Sequence, residues 1–244
     1  MAADVTAGVW SRTLRVLSSD VDVHRRMRPS RLLTLLQEAA IAHTEELGAG
    51  RDRTLDRGIL WVVTMQRLEV RRMPTYDDEV TLESWPGPMM HVLFPRYYRM
   101  TDVRGDVLME GSSLWMLVDE QSRKMAFPER VDVSVPGLAR GDEPELPRML
   151  AVGEGAQGAT FAVPFSYCDL NGHMNNARYL DLVCDHADFA QAGREVRGIQ
   201  TEFAGEVRMH DELCLSWTED EEAVRFVGRV GDKTCCKVVV DLRP

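Results

Sequence analysis

No apolar run in these 244 residues approaches the roughly 20 that a helix needs to cross a bilayer. The start, MAADVTAGVW, lacks the basic segment and following apolar stretch of a secretion signal, so the expectation is a soluble protein. Cysteine is sparse and poorly placed for disulfide or metal chemistry. All five (Cys168, Cys184, Cys214, Cys235 and Cys236) lie in the second half, the count is odd, and none forms a C-x-x-C pair. Reduced thiols in a cytoplasmic compartment are expected, with no metal and no cofactor. A broad basic face is also missing. The net charge is −10, with 18 basic against 20 acidic residues over 1–135 and 11 against 19 over 136–244. That balance opposes phosphate neutralisation and excludes nucleic-acid binding. No strongly basic amphipathic helix supports a membrane-surface role. One cluster, Arg25, Arg26, Arg28 and Arg31, departs from the acidic background.

What the chain does contain is a duplication. SSDVDVHRRMRPSRLLTLLQEAAIAHTEELG begins at Ser18 and FSYCDLNGHMNNARYLDLVCDHADFAQAG at Phe165. Aligning Asp20 with Asp169, 149 residues apart, gives each copy an extended segment ending in Asp-x-Asp/Asn-x-His, then a helical pattern that runs to Gly48 or Gly193. Leu32, Leu35, Leu36, Ala39, Ala40 and Leu47 make the apolar stripe of the first helix, with Pro29 and Ser30 at its start. Leu180, Val183, Cys184 and Ala187 make that of the second, with Asn175 or Asn176 as N-cap. Each helix is followed by strand-like runs: ILWVVTMQRLEVRR, EVTLESW, HVLFPRYYRMTD and GSSLWMLVDE, then IQTEFAGEV, ELCLSW, AVRFVGRV and KTCCKVVVDL. Short turns between β-branched and aromatic runs predict antiparallel meanders. One helix of about 17 residues per sheet is the only element available to cover it. The expectation is an α+β chain of two units, 1–135 and 159–244, joined by a Pro/Gly-rich linker over 136–158.

The candidate site is the segment Asp169, Asn171, His173, Asn175, Asn176, which places a carboxylate, an imidazole and three amides between a strand and a helix. Backbone amides at a helix start can hold a developing oxyanion, and a carboxylate with an imidazole can deprotonate water. Such residues also build ordinary capped turns. Alternate residues Asp169, Asn171 and His173 would share a face if extended, and the first copy keeps Asp20 and His24 but loses the two asparagines.

The pattern D-L-N-G-H-M-N-N-x-x-Y resembles the Asp-x-Asn-x-His-x-Asn-Asn-x-x-Tyr signature of the plant and bacterial acyl-acyl-carrier-protein (acyl-ACP) thioesterases. Gln37-Glu38-Ala39, Trp61-Val62 and Ser113-x-Trp115 match further family patterns, from about Trp10 to Leu242. The resemblance implies a tandem (double) hotdog, each unit an antiparallel sheet wrapped around a long central helix. The implied activity is hydrolysis of fatty acyl-ACP, with acyl-chain binding in the first unit and catalysis in the second. The family's catalytic Asp, Asn, His and Glu fall on Asp169, Asn171, His173 and Glu206, with oxyanion amides near Asn175 and Asn176. Many members carry Cys directly after that Glu; here it is Val207, which excludes a cysteine nucleophile at this position. Two routes stay open: water activated by Glu206 or Asp169 with His173, or direct attack by Asp169 to form an anhydride.

Most apolar residues in strands are core, but Trp61, Met65, Trp85 and Trp115 are candidates to line an acyl tunnel. The arginine cluster, placed where positive charge opposes a helix dipole, is either a docking face for the acidic carrier protein or a solvated patch. A hotdog acyl-CoA thioesterase, a double-hotdog dehydratase and a non-catalytic acyl-binding regulator are the alternatives. Duplication can satisfy hotdog pairing within one chain, and leaves room for a homodimer on top.

Overall fold

The computed structural model describes residues 4–6 and 8–243, so the reading of the opening segment rests partly on residues outside those described, and Pro244 lies outside them too. Among the described residues, eleven strands form one antiparallel sheet. In chain order they are β1 (Asp4–Thr6), β2 (Val9–Arg15), β3 (Ile59–Val70), β4 (Glu79–Pro86), β5 (Phe94–Asp102), β6 (Val107–Asp119), β7 (Gln157–Ala162), β8 (Val196–Phe203), β9 (Glu212–Glu219), β10 (Ala223–Val230) and β11 (Lys233–Leu242). The helices are α1 (Pro29–Glu46), α2 (Pro128–Val131), α3 (Arg178–His186) and α4 (Asp188–Gln191).

The spatial order β1-β2-β4-β5-β6-β3-β8-β11-β10-β9-β7 reads the same from β2 inward as from β7 inward. Each repeat thus contributes five strands in one topology, and β3 against β8 joins them, with Met65 opposite Glu202 and Glu69 opposite Gly198. This is the expected double hotdog. Its halves are related by a pseudo-dyad between β3 and β8.

Backbone hydrogen bonds fix the internal register, and they correct the sequence alignment. Asp22 N–H to Arg26 O, Arg25 N–H to Asp22 O, Met27 N–H to Pro74 O and Arg28 N–H to Asp20 O have counterparts in Asp169 to His173, Gly172 to Asp169, Met174 to Val207 and Asn175 to Tyr167. The offset is therefore 147 residues, 22 to 169, rather than 149. Asp22 is the counterpart of Asp169, His24 of Asn171, Arg26 of His173, and Met73 of Glu206. Asp20 matches Tyr167. It is buried, accepts from the Leu17 N–H at 2.9 Å and pairs with Arg31 at 2.8 Å, so its role is to cap and anchor.

Helix α1 runs 18 residues and buries Leu32, Leu33, Leu36, Ala39, Ala40, His43 and Thr44. Gly48, at φ +72°, ends it as expected. The second helix is not its equal. It breaks at Ala187 (φ −92°, ψ 145°), and the one-turn α4 follows, burying Phe189 while the Asp188 N–H donates to Glu219. No proline or glycine signals that break.

Leu36, Ala39, Leu82, Met109, Leu180, Val183, Phe226 and Val238 belong to one core under both helices. A second apolar cluster of Ala49, Ile59, Phe94 and Leu117, with Trp61 and Trp115 against it, occupies the start of β3 and the end of β6. Residues 132–156 form no helix or strand and strap the opposite face of the sheet. Leu138 N–H donates to Pro86 O, Ser112 Oγ to Glu145 O, and Leu150 N–H to Glu202.

Candidate active site

Asp169 and His173 are not on one face of an extended strand. The segment is a tight turn, closed by Asp169 N–H to His173 O (3.0 Å) and Gly172 N–H to Asp169 O (3.0 Å). Gly172 takes φ +78°, left-handed backbone that glycine adopts most cheaply. The turn is built by Asp169 itself: Oδ1 accepts the Asn171 N–H at 2.9 Å and Oδ2 accepts Asn175 Nδ2 at 3.0 Å.

Asn175 is fully committed. Its Nδ2 also reaches Gln37 Oε1 of α1 at 3.3 Å, its Oδ1 accepts the Ala177 N–H at 3.0 Å, and its own N–H donates to Tyr167 O. It therefore braces the turn leading into α3 and clasps the loop to the first repeat, but neither asparagine is the expected N-cap: Ala177 holds that position, without a side-chain cap. These bonds remove Asn175 from the expected oxyanion donors. No described residue accepts from the Asn176 backbone N–H, which is the amide left to serve.

His173 pairs its backbone with Arg208, which brings the loop after β8 alongside. His173 Nε2 is shielded from solvent, makes no hydrogen bond among the described residues, and lies 3.6 Å from Glu206 Oε1. That gap is slightly long for a hydrogen bond, as catalytic pairs often are before substrate closes them. Arg123 Nη1 holds the same Glu206 oxygen at 3.0 Å, and Arg208 Nη2 lies 3.6 Å from Oε2. The structure thus groups His173 with Glu206, and Asp169 with Asn171 and Asn175. Arg123, Arg208 and Gln37 were missed in the sequence. Val207, the position of the family's cysteine, is buried and accepts the Met174 N–H through its backbone. Cys168 lies against Pro164 O at 3.9 Å, and burial pushes the Cys184 thiol up to about 12. All five cysteines are unpaired, and no cluster of three or more metal-binding side chains occurs among the described residues.

Family models for the acyl-ACP thioesterase N-terminal and C-terminal domains match residues 8–131 and 154–238. The chain belongs to the acyl-ACP thioesterase family. Among curated relatives, a chloroplastic dodecanoyl-[acyl-carrier-protein] hydrolase of Cinnamomum camphora is 26% identical over 193 residues, covering 72% of this chain and 50% of that protein. An acyl-[acyl-carrier-protein] hydrolase of Cuphea viscosissima is 23% identical over 192 residues, covering 72% and 47%. The chain spans about half the length of the curated relatives it matches. The fold matches an acyl-ACP thioesterase from Bacteroides thetaiotaomicron with TM-score 0.81 at 20% identity, covering 97% of this chain and 98% of that one. It also matches the 12:0-ACP thioesterase from Umbellularia californica with TM-score 0.80 at 19% identity, covering 99% of each. No helix among the described residues is long and apolar enough to cross a membrane.

In this member of the family the four candidate tunnel residues divide between two faces. Trp61 and Trp115 face α1 at the end of the sheet that carries Arg123: Trp61 donates to Ala49 O and meets Phe94 edge-on at 4.8 Å, and Trp115 Nε1 donates to Ser113 Oγ at 2.7 Å. Trp85 and Met65 point the other way. Trp85 lies under Arg140 of the strap at 4.5 Å. Met65 follows a bulge in β3 that shifts the register between Val63 and Met65, and it stands opposite Leu114 and Glu202. Strand alternation puts both on the strap side.

The arginine cluster belongs to the relic of the first repeat. Arg26 donates to Gly193 O at 2.7 Å, Arg28 to Val21 O at 3.0 Å, and Arg31 pairs with Asp20; Arg25 is exposed. His24 Nε2 meets Ala190 O at 3.1 Å. The broken second helix has thus closed over the first repeat's loop, where Arg26 and Met73 stand in for His173 and Glu206. The two loops sit at opposite ends of the β3–β8 ladder. β8 alone is eight residues, roughly 26 Å of strand. This corrects the docking expectation, since a carrier seated on Arg25 and Arg28 would face the wrong end of the molecule for His173. Charge reversal at Arg25 and Arg28 should leave KM for acyl-ACP within about twofold, as exposed charges far from a site contribute little beyond a Debye length of about 10 Å. A several-fold rise in KM would restore the patch as a docking face.

Proposed function

We propose that the protein hydrolyses the thioester of fatty acyl-ACP, releasing free fatty acid and the carrier, by a carboxylate–histidine route. The observation that carries the reading is the His173–Glu206 pair, assembled on the family's C-terminal domain three residues before an amide, that of Asn176, with no acceptor among the described residues. Water bound at the pair attacks the thioester carbonyl carbon and passes its proton to Glu206 or, through it, to His173. The carbonyl π electrons move to oxygen, where the Asn176 N–H stabilises the negative charge. Collapse restores the carbonyl and breaks the C–S bond, and the departing thiolate takes the proton back. Direct attack by Asp169 fits the geometry less well, because both carboxylate oxygens already accept N–H groups that hold the turn together. Asn171 acts through its backbone in that turn. The acyl chain is assigned to the cluster of Trp61, Phe94, Trp115 and Leu117, which lies at the Arg123 end of the first unit.

Incubating the purified protein with a mixed-length acyl-ACP pool should release fatty acids and an equal amount of carrier thiol. Acyl-CoA of the same chain lengths should react more slowly. A faster acyl-CoA rate selects the CoA thioesterase reading. Loss of water from a 3-hydroxyacyl-ACP added to the pool, without free thiol, selects a dehydratase. Saturable acyl-ACP binding with no turnover leaves an acyl-binding regulator.

A further inference from the structure

Arg123 occupies backbone that a residue with a Cβ adopts at a cost, and what it gains there is contact with Glu206. The turn after β6 is closed by Asp119 N–H to Lys124 O (2.8 Å) and Arg123 N–H to Asp119 O (2.9 Å), with Asp119 Oδ1 accepting both the backbone N–H and the hydroxyl of Ser122 at 2.7 Å. Arg123 sits in it at φ +56°. Glycine, asparagine or aspartate tolerates that region more readily, so strain here invites a functional explanation. The side chain supplies one. Arg123 Nη1 holds Glu206 Oε1 at 3.0 Å, the oxygen that faces His173 Nε2. The contact also crosses repeats, because Arg123 follows β6 of the N-terminal unit while Glu206 and His173 belong to the C-terminal unit.

We infer that Arg123 is a positioning residue for the hydrolysis: it fixes the rotamer of Glu206 so that Oε1 faces His173, and it makes the site a product of both units. Glu206 sits on a loop, is one-third exposed, and has Arg208 as its other cation. Arg208 is more exposed than Arg123 and approaches the far oxygen Oε2. Without Arg123 the carboxylate is free to turn toward Arg208 and away from His173. This inference rests on the proposed acyl-ACP hydrolysis.

The test compares Arg123→Gly, Arg123→Lys and wild type for kcat and KM on acyl-ACP and for Tm. Arg123→Gly relieves the backbone strain, so its Tm should equal or exceed that of wild type while kcat falls roughly 100-fold, the scale of a misplaced catalytic group. KM should stay within about threefold, since the residue acts on the reacting pair rather than on carrier or chain. Arg123→Lys restores the charge without the planar fork and should recover part of kcat. Millimolar guanidinium ion should partly rescue Arg123→Gly. Three results overturn the inference: near-full kcat in Arg123→Gly, a kcat loss that tracks a lowered Tm, or a loss that neither lysine nor guanidinium repairs. An active wild type with an active Arg123→Gly removes only this inference; an inactive wild type removes the hydrolase reading with it.

Discussion

Replacing His173 by alanine is expected to lower kcat on acyl-ACP by about 1,000-fold, within the 10²–10⁴ range of a positioned acid–base group, while Tm moves by no more than about 2 °C. The expected separation of activity from stability comes from the geometry. His173 Nε2 makes no hydrogen bond that holds the fold together, and the turn is closed by backbone groups and by Asp169. Asp169→Asn should behave differently. An asparagine there keeps one acceptor and turns the other oxygen into a donor that faces the N–H of Asn171 or the Nδ2 of Asn175. The turn loosens, so activity and Tm should fall together, which separates a residue that builds the site from one that performs the chemistry. Equal losses of kcat at unchanged Tm for both variants would instead favour Asp169 as nucleophile. A nearly full rate in His173→Ala would remove the site altogether.

The fold was legible because its signals are local. Apolar spacing marked α1, Gly48 marked its end, and turn residues separated the strand runs, so two helix-plus-meander repeats followed from pattern alone. The site was half legible for the same reason: one loop holds Asp169, His173 and Asn175. Long-range partners left no such trace. Arg123 meets Glu206 only because β3 and β8 pair across the pseudo-dyad, and nothing in SRKM announces that. The repeat register slipped by two residues because the first copy offers two aspartates, Asp20 and Asp22, where the second has Asp169 alone. The shared turn, with Arg25 at φ +62° where the second copy has Gly172 at φ +78°, is visible only in the backbone. A bulge at Thr64 reverses the alternation in β3, which is why Trp61 and Met65 end on opposite faces.

Arg96 carries the other large effect expected, on stability. It is 5% exposed on the face of β5 that meets α1, and burial lowers its guanidinium to about 10. Its contacts are His43 Nδ1 at 3.2 Å, Ser84 Oγ at 3.0 Å and Thr44 Oγ1 at 2.9 Å, all neutral acceptors. A guanidinium only donates, so His43 Nδ1 must be the acceptor and the imidazole is neutral, with its proton on Nε2. Burial, reinforced by the charge of Arg96, lowers the His43 pKa to about 4. Arg96→Ala removes the donor from three buried acceptors and leaves a cavity, a combined cost of about 3 kcal/mol or more, to be read as a lower urea midpoint at constant m. The same pair is expected to lower stability in acid. The unfolded chain takes up a proton on His43 near pH 6.5 and the folded protein only near 4, so this contribution to stability is complete above pH 6.5 and declines as pH falls toward 4. The slope reaches about 1.4 kcal/mol per pH unit. His43→Gln keeps an acceptor for Arg96 and removes the titration. Between pH 7 and pH 5 it should therefore lose about 2 kcal/mol less stability than wild type. Parallel pH–stability curves for the two proteins would show that His43 takes up its proton at the same pH folded as unfolded, and so is not held neutral beside the guanidinium.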